Sequence, residues 1–197
     1  MYEHAIHLYE KLPLCETGLA MGVALVLLHL VALLCPELTK RLLLTAHKAP
    51  LAGAVMLGID FLWVALLLWD SAANPLRMPL FEFEGARGIL LLLCPVIWFI
   101  LSSMVKENLF PRALGMFLLL MAIVPLSAAF LKEPVTRLLI PIWWYPVLTV
   151  AMCWVAWPWL FRDWAAKFTA RPLLFRATAL FGVVYGAAVI LCAILYW

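Results

Sequence analysis

The chain has 197 residues, of which 68% are hydrophobic and 13% charged, with a formal net charge of +3. A soluble domain of this length is about half apolar and about a quarter charged. A water-soluble globule is therefore excluded, and an integral membrane protein with a single transmembrane domain over residues 1–197 is expected. The positive charge is too small and too scattered to point to a nucleic-acid partner.

At the N-terminus, Tyr2, Ala5, Ile6, Tyr9 and Leu12 recur at helical spacing, with Glu3, His7, Glu10 and Lys11 opposite them. That pattern predicts an interfacial amphipathic helix. The first 17 residues carry three glutamates, Glu3, Glu10 and Glu16, and no basic n-region, so a cleaved signal peptide is not expected. His4 and His7 lie one turn apart beside Glu3, but two histidines without a clear third ligand do not make a metal site.

Six apolar runs follow, near 17–35, 51–69, 88–105, 113–131, 138–160 and 177–196. Each approaches the twenty residues needed to cross a bilayer. In lipid such runs must be helices, because every backbone group needs an internal partner. The fold class expected is thus all-α, a bundle of six transmembrane helices. The connection PELTKRLLLTAHKAP (36–50) mixes leucines with Lys40, Arg41 and Lys48 and reads as a surface segment among anionic headgroups.

The first and last spans carry GxxxG motifs, Gly18/Gly22 and Gly182/Gly186, and the second carries the small pair Ala54/Gly58. Small residues let membrane helices approach closely and so predict packing faces. Pro95, Pro125, Pro141 and Pro146 lie in or near spans, where they can kink them.

One residue in the second span is out of place. Asp60 is the middle of the run from Leu51 to Trp69. A central aspartate costs about 2.5–3.5 kcal/mol on the insertion scale, against about 0.3–0.6 returned by each Leu, Ile, Val or Phe. The span has ten of those, so it still inserts, and Asp60 should face protein rather than lipid. Depth matching pairs it with His29 in the first span, with Tyr185 of the last span and the indole of Trp63 also near. Asp60, His29 and Tyr185 are the candidates for proton or cation coupling. The bland alternative makes Asp60 a hydrogen-bonded clamp between helices.

Nine Lys and Arg fall in one set of connections (Lys40, Arg41, Lys48, Lys106, Arg112, Arg162, Lys167, Arg171, Arg176) and five in the other (Lys11, Arg77, Arg87, Lys132, Arg137). Under the positive-inside rule both termini are expected outside the cytoplasm, in the inner membrane if the host is a Gram-negative bacterium. WWYP (143–146) and WPWLFRDW (157–164) would then sit at opposite interfaces.

The five cysteines form no CxxC pair and read as apolar helix residues. A Cys15–Cys192 disulfide on the outer side has no further support in the sequence. No catalytic motif is present, and with His29 the only histidine inside a span, no haem-holding pair exists. No cofactor is expected. The expected function is a non-enzymatic multi-pass protein, first a subunit or scaffold of a larger membrane complex with other membrane subunits as partners. A small transporter or ion-conducting protein using Asp60 is the alternative.

Overall fold

The structure, a computed structural model of the chain, describes residues 8–71, 74–105 and 107–197. Among the described residues eight α-helices follow one another: α1 (Leu14–Leu34), α2 (Pro36–Thr45), α3 (Pro50–Leu68), α4 (Arg87–Met104), α5 (Leu109–Ala129), α6 (Leu139–Ala156), α7 (Trp159–Thr169) and α8 (Pro172–Tyr196). Six of these, all but α2 and α7, are long and apolar enough to cross a membrane. The protein is a multi-pass membrane protein built as a six-helix bundle. Pro36, Pro50 and Pro172 open α2, α3 and α8, where the missing N–H would have had no partner anyway.

The fifth apolar run is shorter than its composition implies. It stops at Ala156, because Trp157 takes φ −128° and ψ 75° ahead of Pro158. A residue before proline is pushed out of the helical region, so the chain turns there and restarts as α7. On α7, Phe161 and Ala165 are buried while Arg162 is exposed. The expected 36–50 surface segment takes a regular form, as α2 and a short 3-10 turn over Ala46–Lys48. Most of the amphipathic helix expected at the N-terminus, with His4 and His7, lies outside the described residues. Its described part, Leu8–Lys11, is a 3-10 turn. All five cysteines are free, including Cys15 and Cys192.

Helix α5 is the centre of the bundle and packs against α1, α3 and α6. Helix α8 lies along α1, and α4 lies along α3. One core joins Leu14, Met21 and Leu25 of α1 to Ala122 and Ala129 of α5 and to Ile140 and Trp144 of α6. A second joins Leu57 of α3 to Leu109 and Ala113 of α5.

The α1–α8 seam is set by the small residues. A methyl group on Gly22 would stand 2.9 Å from the Gly186 carbonyl oxygen, and one on Gly186 would stand 2.9 Å from that of Gly22. Backbones that close leave no room for a side chain. At one end of the seam Gly18 lies under the Trp197 ring, whose Nε1 donates to Thr136 Oγ1 (2.8 Å). At this terminal end of the bundle lie also the Leu8–Lys11 turn and the described part of the 69–86 connection. The opposite, basic end holds α2, the 46–48 turn, the start of α5 and α7.

Candidate functional site

Asp60 lies on the face of α3 that also presents Gly53, Leu57 and Leu67, all buried. The spacing of four, three and seven residues keeps them on one stripe. That stripe meets the start of α5: a methyl on Gly53 would collide with the backbone at Leu109 and Phe110, and Leu57 packs on Leu109 and Ala113. Asp60 is 0% exposed, so it faces protein. Neither carboxyl oxygen has a hydrogen-bond partner.

The indole of Trp63, one turn along, does not fill that role. Its Nε1 donates to Tyr9 Oη (2.8 Å), and its ring meets Phe117 of α5 edge-on at 6.1 Å. Trp63 follows Asp60 by three residues, so the Tyr9–Trp63 pair lies about one turn beyond Asp60 toward the terminal end.

No hydrogen bond joins His29 to Asp60. The His29 ring lies over Gly182, edge-on to Trp143 at 5.9 Å, and its Nδ1 bonds the Leu25 carbonyl (2.8 Å). With a carbonyl as partner, Nδ1 carries the proton. Tyr185 belongs to the same neighbourhood. It stacks at a tilt on Trp143 (5.1 Å) and donates to the Leu139 carbonyl (2.6 Å). His29 and Tyr185 thus gather where α1, α6 and α8 meet, while Asp60 lies on the α3 side of α5. The cause is the GxxxG seam: it commits α1 to α8 instead of to its neighbour in sequence. His29 also lines a cavity of about 380 Å³ with Thr39, Trp164, Phe168 and Phe175.

The second small pair meets α4. A methyl on Gly58 would stand 3.2 Å from Trp98 Nε1, which donates to the Ala54 carbonyl (3.0 Å).

Sequence reasoning passed over Arg87. Its side chain is buried at the terminal end of α4 and donates four hydrogen bonds: Nε and Nη2 donate to Glu84 (2.7 and 2.8 Å), Nη2 also to the Met78 carbonyl (2.7 Å), and Nη1 to that of Leu68 (3.0 Å). The guanidinium ties the 69–86 connection to the end of α3. The spacing Glu84-x-x-Arg87 at a span's start was the available signal.

Among the described residues no group of three or more His, Cys, Asp or Glu could hold a metal ion. Among the described residues no ion pair or hydrogen bond reaches the Asp60 carboxyl. Comparison of the chain with protein-family models, curated proteins and solved structures gives no match.

Proposed function

We propose that the protein is a small, non-enzymatic membrane transporter in which Asp60 gains and loses a proton. The observation that carries this reading is a carboxyl group sealed at mid-span with neither oxygen hydrogen-bonded. A clamp between helices needs a bond across the interface to offset the cost of an acid in hydrocarbon, and Asp60 makes none. An ionised carboxylate without donor or cation is expensive there, whereas a proton satisfies it without a rigid set of ligands. Proton exchange then requires α3 and its cover to part, and the Tyr9–Trp63 pair is the contact to open. The positive-inside bias supports both termini lying outside the cytoplasm, which puts this cover on the outer side.

Reconstitution into liposomes tests the reading. Under an imposed pH gradient, wild-type protein should carry a proton flux reported by a trapped dye. Asp60→Asn should abolish it, and an undiminished flux in that variant would sink the idea.

A second reading, a subunit or scaffold of a larger membrane complex, is favoured by α4. That helix packs mainly on α3, and Ile89, Leu92, Val96 and Phe99 line its outward side, 45–69% exposed. Purification from native membranes decides here: a stable partner recovered with the chain supports it, and a lone monomer counts against it.

A further inference from the structure

The cavity of about 380 Å³ beside His29 takes its walls from four helices. Trp164 and Phe168, four residues apart on α7, line it with Phe175 and Thr178, three apart on α8, and with His29 of α1 and Thr39 of α2. Residues at those spacings share one side of a helix. The three rings make a continuous aromatic wall. Trp164 stacks on Phe168 (5.0 Å, 12° between planes), and Phe168 meets Phe175 at 5.4 Å. The volume lies within the range of about 300–1,000 Å³ common to small-molecule sites.

The polar atoms of the lining are mostly acceptors. His29 bonds the protein through Nδ1, at the Leu25 carbonyl (2.8 Å), so Nε2 of the neutral ring keeps a free lone pair. Among the described residues nothing donates to it, and unlike the Asp60 oxygens it is not sealed off. The Thr39 and Thr178 hydroxyls spend their hydrogens on the carbonyls of Cys35 (3.1 Å) and Leu174 (2.9 Å). The Trp164 indole N–H is the one donor of the lining side chains left unspent among the described residues. No lining side chain is charged. Lys40, over the Phe175 ring at 5.7 Å, is held by Glu37 (3.0 Å). An anion would find one donor against three acceptors, and a cation would find no carboxylate. A neutral hydroxyl suits both kinds of group, since it gives a hydrogen to Nε2 and can accept one from an indole.

We infer that this cavity binds a neutral, lipid-soluble phenol, its ring against the Trp164–Phe168–Phe175 wall and its hydroxyl donating to His29 Nε2. The aromatic wall selects the ring, because aromatic pairs attract beyond the area they bury. The bilayer is the source. Leu28 of the crossing helix α1 also lines the cavity and is 68% exposed, so the cavity opens on the lipid-facing side of that helix. This site is independent of Asp60 and of the proton reading.

The test uses the full chain in neutral detergent, with histidine labelled with nitrogen-15, and three probes of similar shape. Thymol is the phenol, its methyl ether has no hydrogen to give, and menthol is an alcohol without the aromatic ring. Thymol should shift the His29 Nε2 resonance, which is identified by its absence from His29→Phe. In equilibrium dialysis against protein-free micelles thymol should bind about two- to tenfold more tightly than either other probe, the margin that one hydrogen bond or one ring contact supplies. His29→Phe should bind thymol no better than the methyl ether, and should bind the methyl ether as the wild type does, which shows that its cavity persists. Should that variant lose both probes, the wild-type resonance alone decides. Equal thymol binding by wild type and His29→Phe, or a His29 resonance unmoved by saturating thymol, overturns the proposal. Menthol binding as tightly as thymol overturns the assignment to a phenol.

Discussion

The Asp60 carboxyl and the His47 ring at Nδ1 carry buried polar atoms without a hydrogen-bond partner. Asp60→Leu removes an acid worth about 2.5–3.5 kcal/mol against insertion, and no bond is lost with it. We expect the variant to melt at a higher temperature than the wild type in detergent while failing to carry protons. A lower melting temperature would mean the carboxyl has a bond that holds the bundle together. For His47 the sign runs the other way from a salt-bridged histidine. Its folded pKa lies below the unfolded one, so the unfolded chain takes up the proton first. Stability should be full above about pH 6.5 and should fall as the pH drops through that value. His47→Gln should flatten the decline, as read by thermal melts across pH. The sequence made Asp60 conspicuous, because one acid in an apolar run breaks a simple pattern. It gave His47 no such prominence, since a basic residue in a polar connection looks ordinary until its neighbours are known.

At the scale of the helices, the GxxxG seam decides who sits beside whom. Depth along the bilayer is readable from sequence, because each residue advances a helix by a fixed rise. Lateral order is not, and it separates His29 from Asp60 although the two match in depth. The small residues held the missing information. Gly22 and Gly186 fit only one another's backbone, which fixes α8 as the partner of α1. Gly186→Leu should therefore cost about 1–3 kcal/mol, the usual range for overpacking, and should shift the unfolding midpoint in a denaturing-detergent titration. The same change at Gly88, where a methyl would meet nothing within 4 Å, should cost far less. Trp63 makes a parallel case. Its approach to Asp60 along α3 was legible, but its N–H goes to Tyr9, a residue 54 positions away. Tyr9→Phe breaks that bond, worth about 0.6–1.7 kcal/mol in a membrane bundle. It should speed hydrogen–deuterium exchange around Asp60; an unchanged rate would show that the pair does not cover it.

At the scale of the whole molecule, composition led directly to a membrane bundle of six crossing helices. Hydropathy reads well in lipid because the backbone has so few alternatives there. What it could not show is the split between two ends of different character. One end is tied down by Arg87 and Trp197, each bonded across segments. The other holds α2, the 46–48 turn, the start of α5 and α7. Arg87→Met should free the 69–86 connection and make it sensitive to protease added from the terminal side, with the bundle left intact. Between the two ends lies Asp60, the residue proposed to exchange a proton. Infrared difference spectroscopy of the reconstituted protein reads this directly. A protonated-carboxyl band should grow and fade as the pH is cycled and be missing from Asp60→Asn. A band that belongs to Asp60 yet stays constant over the whole range in which the protein is folded would contradict it.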